Sequence, residues 1–237
     1  MPIDKRVNKI IKIIVLLMVS TSAFSATTSC GNDTFEGLNQ MTYNFNQGLD
    51  YHIILPPVEE YKKHASTNFR KSINNFFINL SMPTVIISDL ISFNPKQAFY
   101  STSRFVINST YGLGGFFDVA SRKEVLKYKY DDLGLAFARR GLPSGDFITL
   151  PLYGPSNVRS FGGTVLGSIS DGAAIASYFI NPWISVALFS GKIINARSQM
   201  DENIKLRAKL ALNPYEFTKS VWCQHRDSLL GIKDDDW

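Results

Sequence analysis

Two cysteines and three histidines are a thin supply of metal ligands and nucleophiles for 237 residues. Two cysteines cannot build a zinc ribbon, and the chain is too long for a disulfide-stapled mini-domain. Charge is also scarce, at 19% of residues against the roughly one quarter usual in soluble proteins. With 45% hydrophobic residues, that balance excludes intrinsic disorder, which needs low hydrophobicity and high charge. Long unbroken apolar runs are missing. Ile13 to Val19 falls well short of the about 20 residues a spanning helix needs. No HExxH pair, phosphate-binding loop or GxSxG elbow occurs.

What is present begins with a basic excess, a net charge of +5 and a pI near 9.1. Its position matters. Lys5, Arg6, Lys9 and Lys12 precede the Ile13 to Val19 run, and Ala23-Phe24-Ser25 offers small residues where a signal peptidase reads. Residues 1–25 are therefore expected to be a secretory signal, with 26–237 as a single mature domain. The signal carries four basic residues and one acidic one, which leaves the mature chain at only +2.

Cys30 has two readings. As the first residue of a lipoprotein, cut after residue 29, it would carry a lipid anchor. The preceding Thr27-Thr28-Ser29 lacks the usual Leu, and the apolar core ends well upstream. Without the lipid, a Cys30–Cys223 bridge is available in an oxidising periplasm, though no local pattern supports it.

Helix signals dominate the mature chain. Asp33, with Glu36 three residues later, fits a capping box. Phe35, Leu38, Thr42, Phe45, Leu49 and Ile53 predict one amphipathic face ending near Pro56-Pro57. Phe69, Ile73, Phe76 and Leu80 predict a second helix capped by Ser66. Asn94-Pro95, Asn181-Pro182 and Asn213-Pro214 pair a capping Asn with Pro at the first helical position. Ser156 is expected to cap a helix carrying Val158, Phe161, Val165 and Ile169. Ile184 to Leu212 reads as one long helix, with a break allowed near Gly191. Only Asp146 to Tyr153 reads as extended. The expected fold class is all-α, in a single domain.

Two stretches, Phe76 to Phe93 and Ala173 to Ile194, carry one charge each and are broken by Pro83 and Pro182. Each would divide into halves too short to span a bilayer. Tyr178, Asn181 and Trp183 are of the kind found at membrane interfaces. Gly163 and Gly167 stand at the spacing that permits close helix contact in lipid.

The chemistry-bearing residues have plain readings. Cys223 and His225 would point about 200° apart on a helix, so they make no nucleophile–base pair. The glycine-rich Tyr111 to Gly115 reads as a helix stop and tight turn, not a dinucleotide fingerprint. Asp131-Asp132 reads as solvated or capping, with no acidic cluster to complete a metal site. No catalytic, cofactor or metal residue is expected. Basic clusters at Lys62, Lys63, Arg70 and Lys71, at Arg122, Lys123, Lys127 and Lys129, and at Arg139-Arg140 suit lipid headgroups or protein better than nucleic acid.

Asn32-Asp33-Thr34-Phe35-Glu36-Gly37-Leu38-Asn39 resembles the opening signature of the MlaA (VacJ) family. Asn44-Phe45-Asn46, Asn75-Phe76-Phe77 and Arg104-Phe105 follow in order, as does Gly112-Leu113-Gly114-Gly115-Phe116-Phe117-Asp118. So do Asp132-Leu133-Gly134, Leu150-Pro151-Leu152-Tyr153-Gly154, Asn213-Pro214-Tyr215 and Arg226-Asp227. The resemblance spans about residues 32 to 228. Thr34 and Ser160 depart from it, standing where Pro and Asp are usual.

The resemblance implies a ring-like helical domain on the periplasmic side of a Gram-negative outer membrane, enclosing an amphipathic channel. It implies that mislocalised phospholipids are taken from the outer leaflet and passed to a periplasmic carrier, beside a trimeric porin, with no cofactor and no bond broken. Gly112, Gly114 and Gly115 are then expected at the channel mouth, and Gly163 and Gly167 at a close helix contact. Two other functions compete: a periplasmic lipid hydrolase using His52, His64 or His225, and an adaptor that binds porin without moving lipid.

Overall fold

The computed structural model describes residues 30–172 and 182–232. Helix α1 (Glu36–Leu49) runs into a π-helical turn (Asp50–Ile54) and then α2 (Leu55–His64). Pro56 and Pro57 were expected to stop a helix. They open α2 instead, where a missing amide costs nothing because first-turn amides have no partner. The capping box at Asp33 does not form either. Phe35 occupies the cap position without a side-chain bond. Asp33 instead accepts from Asn39 at 2.7 Å, Tyr215 at 2.6 Å and Lys219 at 2.8 Å.

Helix α3 (Thr67–Ile91) is capped by Ser66, whose hydroxyl accepts from the Phe69 amide at 3.2 Å. It passes through Pro83 without dividing. Neighbours on several sides explain this: α3 packs on α4 (Pro95–Thr110), α5 (Leu133–Arg139), α6 (Val158–Ser170) and α7 (Pro182–Leu210). Among the described residues no helix is long and apolar enough to cross a membrane.

Local rules set most other boundaries. Asn94 caps α4 by accepting from Gln97, with Pro95 at the first position. Asp132 caps α5 through the Leu135 amide. Asn157, not Ser156, caps α6 through the Ser160 amide at 2.6 Å, because the helix begins at Val158 and Asn157 is the residue immediately before it. Asn213 caps α8 (Pro214–Leu230), which ends on Gly231 with φ 73°. Asn181, Tyr178 and the Ala173 to Asn181 part of the second apolar stretch lie outside the described residues. α7 is unbroken at Gly191.

The extended segment is a hairpin of β1 (Phe147–Leu150) and β2 (Gly154–Asn157), in register Phe147 with Asn157 and Leu150 with Gly154. Two asparagines of α1 close its free edge. Asn39 donates to the Phe147 carbonyl at 3.0 Å and accepts from the Thr149 amide at 2.7 Å. Asn46 treats the Leu150 carbonyl and Leu152 amide the same way, at 2.9 and 2.8 Å. Tyr43, Phe147 and Tyr215 form a buried core there, backed by Trp222. The Cys30 and Cys223 sulfurs are joined in a disulfide.

Candidate functional site

Helix α6 buries its polar and glycine face and exposes its apolar one, and α4 buries polar residues while Phe99 and Val106 stand exposed beside Lys96, Thr102 and Thr110. On α6 the buried residues are Arg159, Ser160, Gly163 and Gly167. The exposed ones are Val158, Phe161, Val165, Leu166 and Ile169, the last 73% accessible. On α4 the inner face is Ala98, Ser101, Arg104 and Asn108, while Phe99 and Val106 face out. The spacing of Val158, Phe161, Val165 and Ile169 finds the α6 stripe but does not tell which side faces the core. A water-soluble helix does the reverse. Exposed apolar surface on this scale marks contact with lipid or another protein.

The buried polar side chains of α4 are paired. Arg104 reaches Ser121 and the Leu126 carbonyl at 2.8 Å each, and Asp118 at 2.8 Å. Asn108 donates to Asp118 at 3.1 Å and accepts from the Ala120 amide at 2.9 Å. Burial opposes the Asp118 charge, but the bonds from Arg104, Ser121 and Asn108 hold the carboxyl below its ordinary range. Asp89 accepts from Ser101 at 2.6 Å, and burial still raises it. Asp131 sits beside Arg139 at 2.6 Å, yet desolvation pushes it up to about 6.

A second network lies between α5, α6 and α8. Arg226 bonds both oxygens of Asp132 and donates to Ser160 at 3.1 Å. Burial works against the Asp132 charge, and the Arg226 bond and charge outweigh it. Arg159 donates to the Leu142 carbonyl at 2.8 Å, and burial, with the like charge of Arg226, draws it down to about 10. A cavity of about 110 Å³ beside Tyr130, Tyr153, His225 and Arg226 is too small for a phospholipid.

A third network ties the π turn to α7. Arg197 grips Asp50 through two bonds, 2.7 and 2.9 Å, and Asp201 at 3.0 Å. Asp201 also takes Lys62 and Lys205, and the Lys62 bond chiefly lowers its carboxyl. Lys62 and Arg139 are thus spent on internal pairs, and Arg140 lies over the Phe93 ring at 4.1 Å. These residues belong to the clusters expected to suit lipid headgroups or protein.

The glycines occupy tight places. Residues 111–117 form a wound turn, with Phe117 N on the Gly112 carbonyl at 2.9 Å and Gly114 N on Ser109 at 3.0 Å. Gly115 has φ 101°, and a side chain there would meet Asn79, with Cβ 2.8 Å from Asn79 Cγ. Gly114 has φ 71° and open space around it. The tip presents Tyr111, Leu113 and Phe117 outward. Gly163 lies against α5, where a Cβ would come 2.7 Å from Gly134 Cα, and Gly167 lies against Thr84.

His52 stands on the π turn, His64 at the end of α2 beside Glu60, and His225 on α8. Cys223, bonded to Cys30, offers no thiolate. The described residues include no group of three or more His, Cys, Asp or Glu placed to hold a metal.

A family model described as MlaA lipoprotein matches residues 31–229. The Shigella flexneri protein named intermembrane phospholipid transport system lipoprotein MlaA is 26% identical over 218 residues, covering 89% of this chain and 83% of that one. The Escherichia coli K12 protein of the same name gives the same figures. An uncharacterized Rickettsia prowazekii protein is 32% identical over 150 residues, 63% of this chain and 56% of its own length. A structure solved as the structural basis for maintenance of bacterial outer membrane lipid asymmetry matches the fold. Its TM-score is 0.73 at 23% identity, covering 84% of this chain and all of that one.

Proposed function

The chain belongs to the MlaA family, and on that premise we propose that it removes misplaced phospholipids from the outer leaflet of an outer membrane. It hands them to a periplasmic carrier for return to the inner membrane, beside a trimeric porin. Its Shigella flexneri and Escherichia coli relatives are named as phospholipid transport lipoproteins, a role without bond breaking. Residues 1–25 serve as the export signal and 26–237 as the one working domain.

The observation that carries the proposal is the inversion of α4 and α6. A phospholipid needs a polar lane for its headgroup and an apolar route for its tails. Helices with lipid-facing outer stripes and polar inner faces let a ring rest in one leaflet while its interior stays hydrated. The turn of Gly112, Gly114 and Gly115 sits at the channel mouth, its apolar tip touching the tails.

Deleting the gene is expected to raise the phospholipid exposed at the cell surface, and restoring it to reverse the change. Surface labelling of outer-leaflet phospholipid reads this out. An unchanged outer leaflet refutes the proposal, and turnover lost on changing His52, His64 or His225 favours a hydrolase.

A further inference from the structure

Residues 30–33 are threaded into the body of the protein. Gly31 packs so closely on Gly145 that a Cβ would approach its carbonyl carbon to 2.8 Å. The Asn32 carbonyl accepts from the Phe147 amide at 2.8 Å. Asp33 is held by Tyr215 and Lys219. Tyr215, Lys219 and Cys223 recur every four residues, so they form one stripe of α8. The chain meets this stripe rung by rung: Asp33 on the first two, Cys30 on the third. The Cys30 and Cys223 Cα atoms are 5.5 Å apart, within the span a disulfide bridges.

The surroundings of Cys30 suit a bridge and not an acyl group. The groove beside it, of about 370 Å³, is lined by Glu216, Lys219, Ser220, Gln224 and Asp227. Upstream, Thr27-Thr28-Ser29 lacks the Leu of a lipoprotein cleavage site. The outward stripes of α4 and α6 already supply apolar surface for membrane contact.

We infer that in the exported protein Cys30 and Cys223 are oxidised to a disulfide, that Cys30 carries no lipid, and that the apolar helix faces alone hold the chain at the membrane. The bond forms by thiol–disulfide exchange with an oxidised protein disulfide of the periplasm. One Cys sulfur attacks that disulfide, and the second displaces the mixed disulfide. The two thiol protons and the two electrons pass to the acceptor, which leaves as a dithiol. The same sulfur cannot also form the thioether of a lipoprotein.

The test uses the full chain exported in a Gram-negative host. Membranes are treated with N-ethylmaleimide before and after reduction, and the intact mass is measured. The expected mass is that of a processed chain beginning upstream of Cys30, less two hydrogens, taking two maleimides only after reduction. A diacylglyceryl mass on Cys30, or maleimide on either sulfur before reduction, would overturn the inference. Cys30→Ser is expected to stay in the membrane fraction within about two-fold of wild type, since no acyl anchor is lost; a larger loss of folded protein would overturn it. Should that variant not fold, the wild-type mass decides alone. An unlipidated, disulfide-linked chain that leaves surface phospholipid unchanged would sink the transport proposal and support this one.

Discussion

Gly162 and Gly163 are neighbours in α6, yet adding one methyl to each should move stability in opposite directions. At Gly163 the new Cβ would lie 2.7 Å from Gly134 Cα and 2.9 Å from the Leu133 carbonyl carbon. Carbon atoms settle at about 3.5–4.0 Å, so the overlap is close to an ångström. The obstructing atoms are backbone of α5 and cannot rotate away. Overpacking costs about 1–3 kcal/mol, and here the upper end applies. The gain in helix propensity returns about 1 kcal/mol, leaving Gly163→Ala about 2 kcal/mol less stable. At Gly162 a Cβ meets nothing within 4 Å, so only the propensity gain of about 1 kcal/mol remains. For a chain of this size about 1 kcal/mol moves the melting temperature by about 2–4 °C. Gly163→Ala should therefore melt about 4–8 °C lower and Gly162→Ala about 2–4 °C higher, followed by circular dichroism in detergent. Shifts of the same sign, or a Gly163→Ala protein as stable as wild type, would refute the close approach of α5 and α6.

Other perturbations probe the remaining features. Arg226→Met leaves the partly buried Asp132 carboxylate without its cation and should cost about 2–3 kcal/mol, read from the same melts. Phe161→Asp with Val165→Asp changes residues that are about half exposed, so stability in detergent should fall by only about 2 kcal/mol. Flotation with phospholipid vesicles should fall several-fold, and undiminished flotation would mean that α6 does not face lipid. Asp131 has a folded pKa near 6, above its ordinary 3.8. Its unfolded form therefore ionises first, and the stability it contributes below about pH 4 is lost as pH rises through 6. Asp131→Asn should remove that slope from denaturant unfolding measured between pH 4 and 6; an unaltered slope would place the titration elsewhere.

Boundaries set by neighbours in sequence were legible: Asn94 and Asn213 cap where an Asn-Pro pair says they should, because capping is settled within one turn. Features settled by distant partners were not. Asp33 has the spacing of a cap, but Tyr215 and Lys219 claim it from more than 180 residues away. Pro83 has the chemistry of a breaker, but four surrounding helices hold α3 through it. The stripe of α6 was readable as a stripe, since period alone reveals an amphipathic face. Its direction was not, because the same period serves a core of oil or a core of paired polar groups. The networks around Arg104 and Arg226 went unseen, as no single partner in either one is adjacent in sequence.

The asparagines that close the β1 edge make the hairpin and α1 a vernier. Asn39 and Asn46 are seven residues apart, about 10.5 Å along a helix rising about 1.5 Å per residue. The strand carbonyls they serve, those of Phe147 and Leu150, are three residues apart, about 10 Å at about 3.3 Å per residue. Two different rulers coincide at two marks. Deleting one residue between those marks swings the second amide about 100° around the helix and off the strand. The length of α1 between Asn39 and Asn46 and the register of the hairpin are therefore one quantity, and a change in chain length is tolerable only outside that interval.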